Sequence, residues 1–148
     1  MKKGFTLLEL ILVIVILGVL ATLISGNFIT SLKKGRDARR KADLEQIQRA
    51  LEMYYEDKKA YPSSITFGGP LVDSTSGKIY MQKIPNDPLS NINYRYCVDL
   101  PSSPSKYQLY AKLENSQDPK IITPAPLPSC TANCPDCNYG ISSPNTNP

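Results

Sequence analysis

The 148-residue chain has no histidine, which removes the commonest general base and the commonest imidazole ligand for a metal. Neither a catalytic constellation nor a phosphate-cradling glycine loop stands out, so an enzyme is the least supported class. Proline is scarce where it matters for helix: of 13 prolines none precedes Pro62, and Gly35 is the lone breaker between Asn27 and Lys59. A basic domain is missing too. The net charge of +4 comes from Lys33, Lys34, Arg36, Arg39, Arg40 and Lys41, set against Asp37 alone, while the chain from Ala42 onward is slightly acidic. That distribution excludes a nucleic-acid footprint on the soluble part.

What is present begins with Gly4 to Ile24, GFTLLELILVIVILGVLATLI. As a helix, Phe5 to Ile24 is about long enough to cross the roughly 30 Å hydrocarbon core of a bilayer. Its single charge is Glu9, and a carboxylate at the centre of a span costs roughly 2.5 to 3.5 kcal/mol, less near an end. Such an acid needs a partner or must snorkel toward the headgroups. If the chain is cut between Gly4 and Phe5, the new α-amino group lies four residues from Glu9 on the same helix face. An ordinary secretory signal would have a shorter apolar core of roughly 7 to 15 residues followed by small residues, and Leu23 and Ile24 spoil the obvious cut sites.

Lys2-Lys3-Gly4 followed by Phe5-Thr6-Leu7-Leu8-Glu9 resembles the cleavage and methylation motif of type IV pilins and type II secretion pseudopilins. The resemblance implies a prepilin peptidase that removes residues 1–4 and methylates the new amine of Phe5. It further implies that Glu9 meets the Phe5 amine of an adjacent subunit as inner-membrane machinery assembles a homo-oligomeric filament. Flanking charge argues for the opposite orientation, since the bases at 33 to 41 outnumber Lys2 and Lys3. The resemblance requires a cytoplasmic leader, however, and four cysteines suit an oxidising compartment. The soluble part is therefore expected outside the cytoplasm, first anchored by one pass through the inner membrane and then carried in a periplasmic or extracellular filament.

Beyond the span the helix is expected to continue to about Lys59. Leu44, Ile47, Leu51, Tyr54 and Tyr55 recur at helical spacing and form the core-facing stripe. Traced backward, the stripe falls on Arg40, Asp37, Arg36 and Lys33, which places the start of the globular domain near Ala42. Residues 27–41 then form a charged helical stalk, supported by pairs such as Asp37 with Lys41 and able to meet anionic headgroups. Gly18 and Gly26 are points where the apolar helix can loosen or pack closely.

Tyr61-Pro62-Ser63-Ser64 stops the helix. Residues 63 to 77 read as a loop, Lys78 to Met81 as a short strand, and Ile84-Pro85-Asn86-Asp87-Pro88 as a turn. Asn93 to Val98 and Tyr107 to Leu113 alternate and read as an antiparallel hairpin. The expected fold is α+β: a long N-terminal α-helix, membrane-spanning over 5–26, with a small antiparallel β-sheet packed on its C-terminal half within a globular domain at 42–118.

Arg39-Arg40-Lys41-Ala42-Asp43-Leu44, Tyr61-Pro62-Ser63-Ser64 and Ile84-Pro85-Asn86-Asp87-Pro88 before Tyr94-Arg95-Tyr96 resemble the run of major pseudopilins as far as Leu113. That resemblance implies a calcium in the loop after the hairpin. Glu114, Ser116 and Asp118 supply oxygens of the kind calcium takes, although the family's glycine-rich run is missing.

Residues 119–148 form a tail rich in proline, serine and asparagine that lacks the apolar content to order itself. Cys97 in the first hairpin strand and Cys130, Cys134 and Cys137 in the tail point to two disulfides with three possible pairings. The favoured pairing joins Cys97 to one of the tail cysteines while the other two pair locally. A zinc site built from all four is the competing reading, and with it a monomeric membrane-anchored binding domain in place of a filament subunit.

Overall fold

The computed structural model describes residues 4–90, 92–100, 102–122 and 137–146, with the backbone alone at 24–27. Helix α1 runs from Leu7 to Lys58, 52 residues, or roughly 80 Å along its path. Thr6 caps it in an extended conformation, its hydroxyl accepting the Glu9 N–H at 3.3 Å. Glu9 three residues on gives the spacing of a capping box and an acid in the first turn, where the helix dipole favours one. At the other end Lys59 turns left-handed with φ 56° and returns its N–H to the Tyr55 carbonyl. Pro62 follows, so the helix stops where backbone geometry requires it.

Among the described residues no single helix is long and apolar enough to cross a membrane; the segments Leu7–Leu23 and Phe28–Lys58 of α1, inclined by 44° to each other, pass that test as a pair by length and composition. Gly18 and Gly26 both lie in helical backbone, Gly26 within the bent stretch.

The C-terminal half of α1 carries the domain. Leu44, Ile47, Ala50 and Leu51 are buried against Tyr61, Leu71, Ile84, Tyr94, Tyr107, Leu109 and Leu113, which is the stripe read from the helical spacing. Strands β1 (Leu71–Val72) and β2 (Ile79–Met81) pair antiparallel with an irregular register. They lie against the helix, where Tyr54 and Tyr80 bring their rings to 5.1 Å. Gly68, at φ 84°, shapes the approach: its N–H reaches the Ile84 carbonyl at 2.8 Å and Gly69 accepts the Ile84 N–H at 2.7 Å.

Strands β3 (Arg95–Val98) and β4 (Tyr107–Ala111) form the expected hairpin, with Cys97 opposite Gln108. A third strand, β5 (Tyr139–Ser142), pairs antiparallel with β4, placing Tyr139 opposite Ala111 and Ile141 opposite Leu109. This corrects the expectation for 119–148. Part of the supposed tail is sheet, held further by both arms of the Asn138 amide on the Leu113 backbone at 2.6 and 3.0 Å. Gln48 of α1 also donates to the Ser142 carbonyl at 3.0 Å.

The expected stalk needs the larger correction. Asp37 and Arg40 are 2% and 0% exposed, so the domain takes hold of the helix more than a turn before Ala42. The backward continuation of the stripe holds at Arg40 and Asp37 and fails at Lys33. Arg40 is buried against carboxylates from distant loops and Asp37 against backbone N–H groups of one of them, Arg36 is half-buried, and Lys33 stays exposed.

Candidate assembly surface and the charged seam

From Phe5 to Leu23 every side chain is exposed, including Phe5, Leu7 and Leu8 at 75% each. The domain lies elsewhere along the helix and covers none of this stretch. An apolar surface of that length needs lipid or neighbouring helices to cover it. Glu9 sits within it, exposed and one helical turn from Phe5. Lys2 and Lys3 lie outside the described residues.

Where the helix enters the domain, a seam of charge replaces the apolar stripe. The Arg40 guanidinium grips Asp87 with two bonds, Nε to Oδ2 at 2.7 Å and Nη2 to Oδ1 at 3.0 Å. Its Nη1 donates to Asp37 Oδ1 and to Glu114 Oε1, both at 2.8 Å. Arg36 holds Glu114 in a second fork at 2.7 and 2.6 Å. Asp37 in turn accepts the backbone N–H of Glu114 and of Asn115 at 2.9 and 2.8 Å. One turn along, Lys41 pairs with Asp118 at 2.5 Å, so the expected Asp37–Lys41 pair is replaced by partners across the fold.

The electrostatics follow from this geometry. Burial opposes the charge on Arg40, but hydrogen bonds to Asp87, Glu114 and Asp37 outweigh it and raise the pKa above the ordinary guanidinium value. The Arg36 fork, against the pull of burial and helped by Arg40, holds the Glu114 carboxyl down at about 2. Lys41, then the Lys120 N–H, keeps Asp118 below its usual range. Nearby, Tyr94 donates to Asp43 at 2.8 Å, and burial together with that carboxylate raises its phenol.

The oxygens read as calcium candidates do not converge as a metal shell. Both oxygens of Glu114 face guanidinium groups, Asp118 Oδ2 faces an ammonium, and Ser116 is exposed. Among the described residues no group of three or more Asp, Glu or Cys side chains could hold a metal ion. As placed, the two carboxylates of this loop face cations and not a common centre.

Cys97 and Cys137 are buried beside Tyr110 and both are disulfide-bonded; Cys130 and Cys134 lie outside the described residues. A cysteine committed to a disulfide offers no thiolate to zinc, so the four-cysteine metal site is unsupported.

A family model described as the prokaryotic N-terminal methylation motif matches residues 1–25. One described as type II secretion system (T2SS), protein G, matches residues 27–118. The chain belongs to the type II secretion protein G family. Type II secretion system core protein G of Pseudomonas aeruginosa is 33% identical over 119 residues, covering 74% of this chain and 82% of that protein. The Klebsiella pneumoniae protein of the same name is 34% identical over 118 residues, covering 78% and 79%, and that of Vibrio cholerae 32% over 103, covering 64% and 70%. No solved structure gives a significant match. The protein G match takes in the whole charged seam and ends before β5.

Arg40, Asp37 and Asp87 escaped the sequence reading as an interacting set. The signals were there in two pieces: the core-facing phase of Arg40 and Asp37, and the acid inside the Ile84 to Pro88 turn. Only their meeting was not readable.

Proposed function

We infer that this chain is a structural subunit of a type II secretion pseudopilus, anchored in a membrane through its apolar N-terminal helix and polymerised through that same helix. The observation that carries the reading is the uncovered, largely apolar surface from Phe5 to Leu23, preceded by Gly4 and carrying Glu9 as its single charge, in a chain of the protein G family. Processing by a prepilin peptidase removes residues 1–4 and methylates the Phe5 amine. Glu9 then meets the amine of a neighbouring subunit: pairing supplies the carboxylate with the partner that apolar surroundings deny it. In this reading the span lies once across the inner membrane, the domain stands outside the cytoplasm, and chemistry is done to the chain and not by it. Disulfides at Cys97 and Cys137 suit that compartment. The alternative of a monomeric binding domain loses its support with the four-cysteine metal site.

Intact mass with N-terminal sequencing of protein made in its own host tests the reading. The expected product begins at methylated Phe5, and replacing Gly4 with a bulky residue should trap the precursor. A mature chain that keeps Lys2 and Lys3 would overturn it.

A further inference from the structure

We propose that basic side chains built into the helix, Arg36, Arg40 and Lys41, hold the loop after β4 in the role that a divalent cation would otherwise fill, so that the domain folds and stays folded independently of calcium. Residues 114–118 leave the end of β4 and cross back over α1, and such a crossing needs something positive to gather its acids. Helix α1 supplies it. Arg40, with no exposure at all, donates four hydrogen bonds to Asp37, Asp87 and Glu114. It thereby ties the loop after β4, the turn at Asp87 and the helix into one knot.

Arg36 and Lys41 flank the knot and engage each end of the loop, Glu114 at 2.6 Å and Asp118 at 2.5 Å. Asp37 completes it from below by accepting two successive backbone N–H groups of the loop. Every carboxylate in the loop is thus committed to a fixed cation on a rigid helix. A calcium ion seeking Glu114 and Asp118 would have to displace two guanidinium groups and an ammonium, or sit beside them against like charge.

The arrangement has a functional consequence. A subunit whose loop is closed by its own arginines and lysine needs no ion from the compartment in which it folds, and assembly of its filament becomes indifferent to calcium supply. The spacing on the helix suits this task, because positions 36, 37, 40 and 41 share one face. The loop's lack of a glycine-rich run fits it too: a loop wrapped around an ion needs glycine turns, whereas this one lies against a helix.

The test uses the full chain, disulfides intact, in detergent micelles. Unfolding of the domain, followed by the tyrosine near-ultraviolet signal, is compared in excess chelator and in excess calcium, with calcium binding read in parallel by titration calorimetry. The expected result is one midpoint for both conditions and no saturable binding. Limited proteolysis supplies the second arm: Arg36→Gln and Lys41→Gln, both at partly exposed positions, should leave the domain folded. Each should speed cleavage within 114–118 roughly fivefold, as for loss of one partly exposed ion pair. A midpoint that falls on chelation, saturable binding of calcium to the parent chain, or variants cleaved no faster than the parent would each overturn the proposal.

Discussion

Replacing Arg40 by methionine keeps most of the side chain's length but removes the guanidinium, leaving Asp37, Asp87 and Glu114 to face one another without it. Losing one partner of a buried ion pair typically costs about 3 to 5 kcal/mol, because the charges left behind stay desolvated. The remaining contacts argue for the lower end. Glu114 keeps Arg36, Asp37 keeps the N–H groups of Glu114 and Asn115, and Asp87 keeps the Leu89 N–H at 2.8 Å. A loss of about 3 kcal/mol is expected, a large part of the 5 to 15 kcal/mol usual for a domain. For a unit of this size that lowers the melting midpoint on the order of 10 to 20 °C. The chain has nine tyrosines and no tryptophan, and Tyr94 and Tyr107 are each 1% exposed. Their near-ultraviolet dichroism therefore reports packing of the domain and is blind to the membrane helix. Adding Asp87→Asn to the Arg40→Met chain neutralises one stranded carboxylate and should recover part of the loss, a coupling that a double-mutant cycle reads directly. A loss below about 1 kcal/mol, or strict additivity of the two changes, would refute the claim that Arg40 joins helix and loops.

Acid should find the same seam. Glu114 has its carboxyl held at about 2 against an ordinary 4.5, so its contribution is fully present above about pH 4.5 and is lost as pH falls toward 2. The difference corresponds to about 3 kcal/mol, or roughly 2 after allowance for the solvent that reaches the side chain. Urea midpoints measured across that window should fall for the parent and fall less for Glu114→Gln; equal slopes would contradict the assignment. Glu9→Gln should insert at least as well as the parent, since it removes a charge from apolar surroundings, and should assemble poorly. Filament yield equal to the parent's at matched membrane levels would leave the acid without a docking role. Cys97→Ser should lower stability by roughly 2 kcal/mol, the low end for a disulfide, because β5 and Asn138 still hold the following segment. Peptide mapping without reductant should find Cys97 joined to a tail cysteine, and four free thiols would reject that pairing.

Local pattern was enough for every feature that one stretch of chain decides alone. The apolar run with its glycine and acid, the helical stripe through Leu44, Ile47 and Leu51, the stop before Pro62 and the alternation that makes β3 and β4 all depend on neighbours within a few residues. Their periods survive translation from sequence to structure. Strand β5 did not, because Tyr139–Ser142 is four residues in a proline- and asparagine-rich setting, and so short an alternation becomes a strand only once β4 offers an edge. The two residues of β1 are beneath any periodic signal for the same reason. The seam is the deeper case. Arg40 lies 47 residues from Asp87 and Arg36 lies 78 from Glu114, and on a helix alone such charges look like a solvated stalk. Whether a charge is exposed or buried depends on what packs over it, and the groups that cover and pair with Arg36, Asp37 and Arg40 arrive only when the sheet docks on the helix.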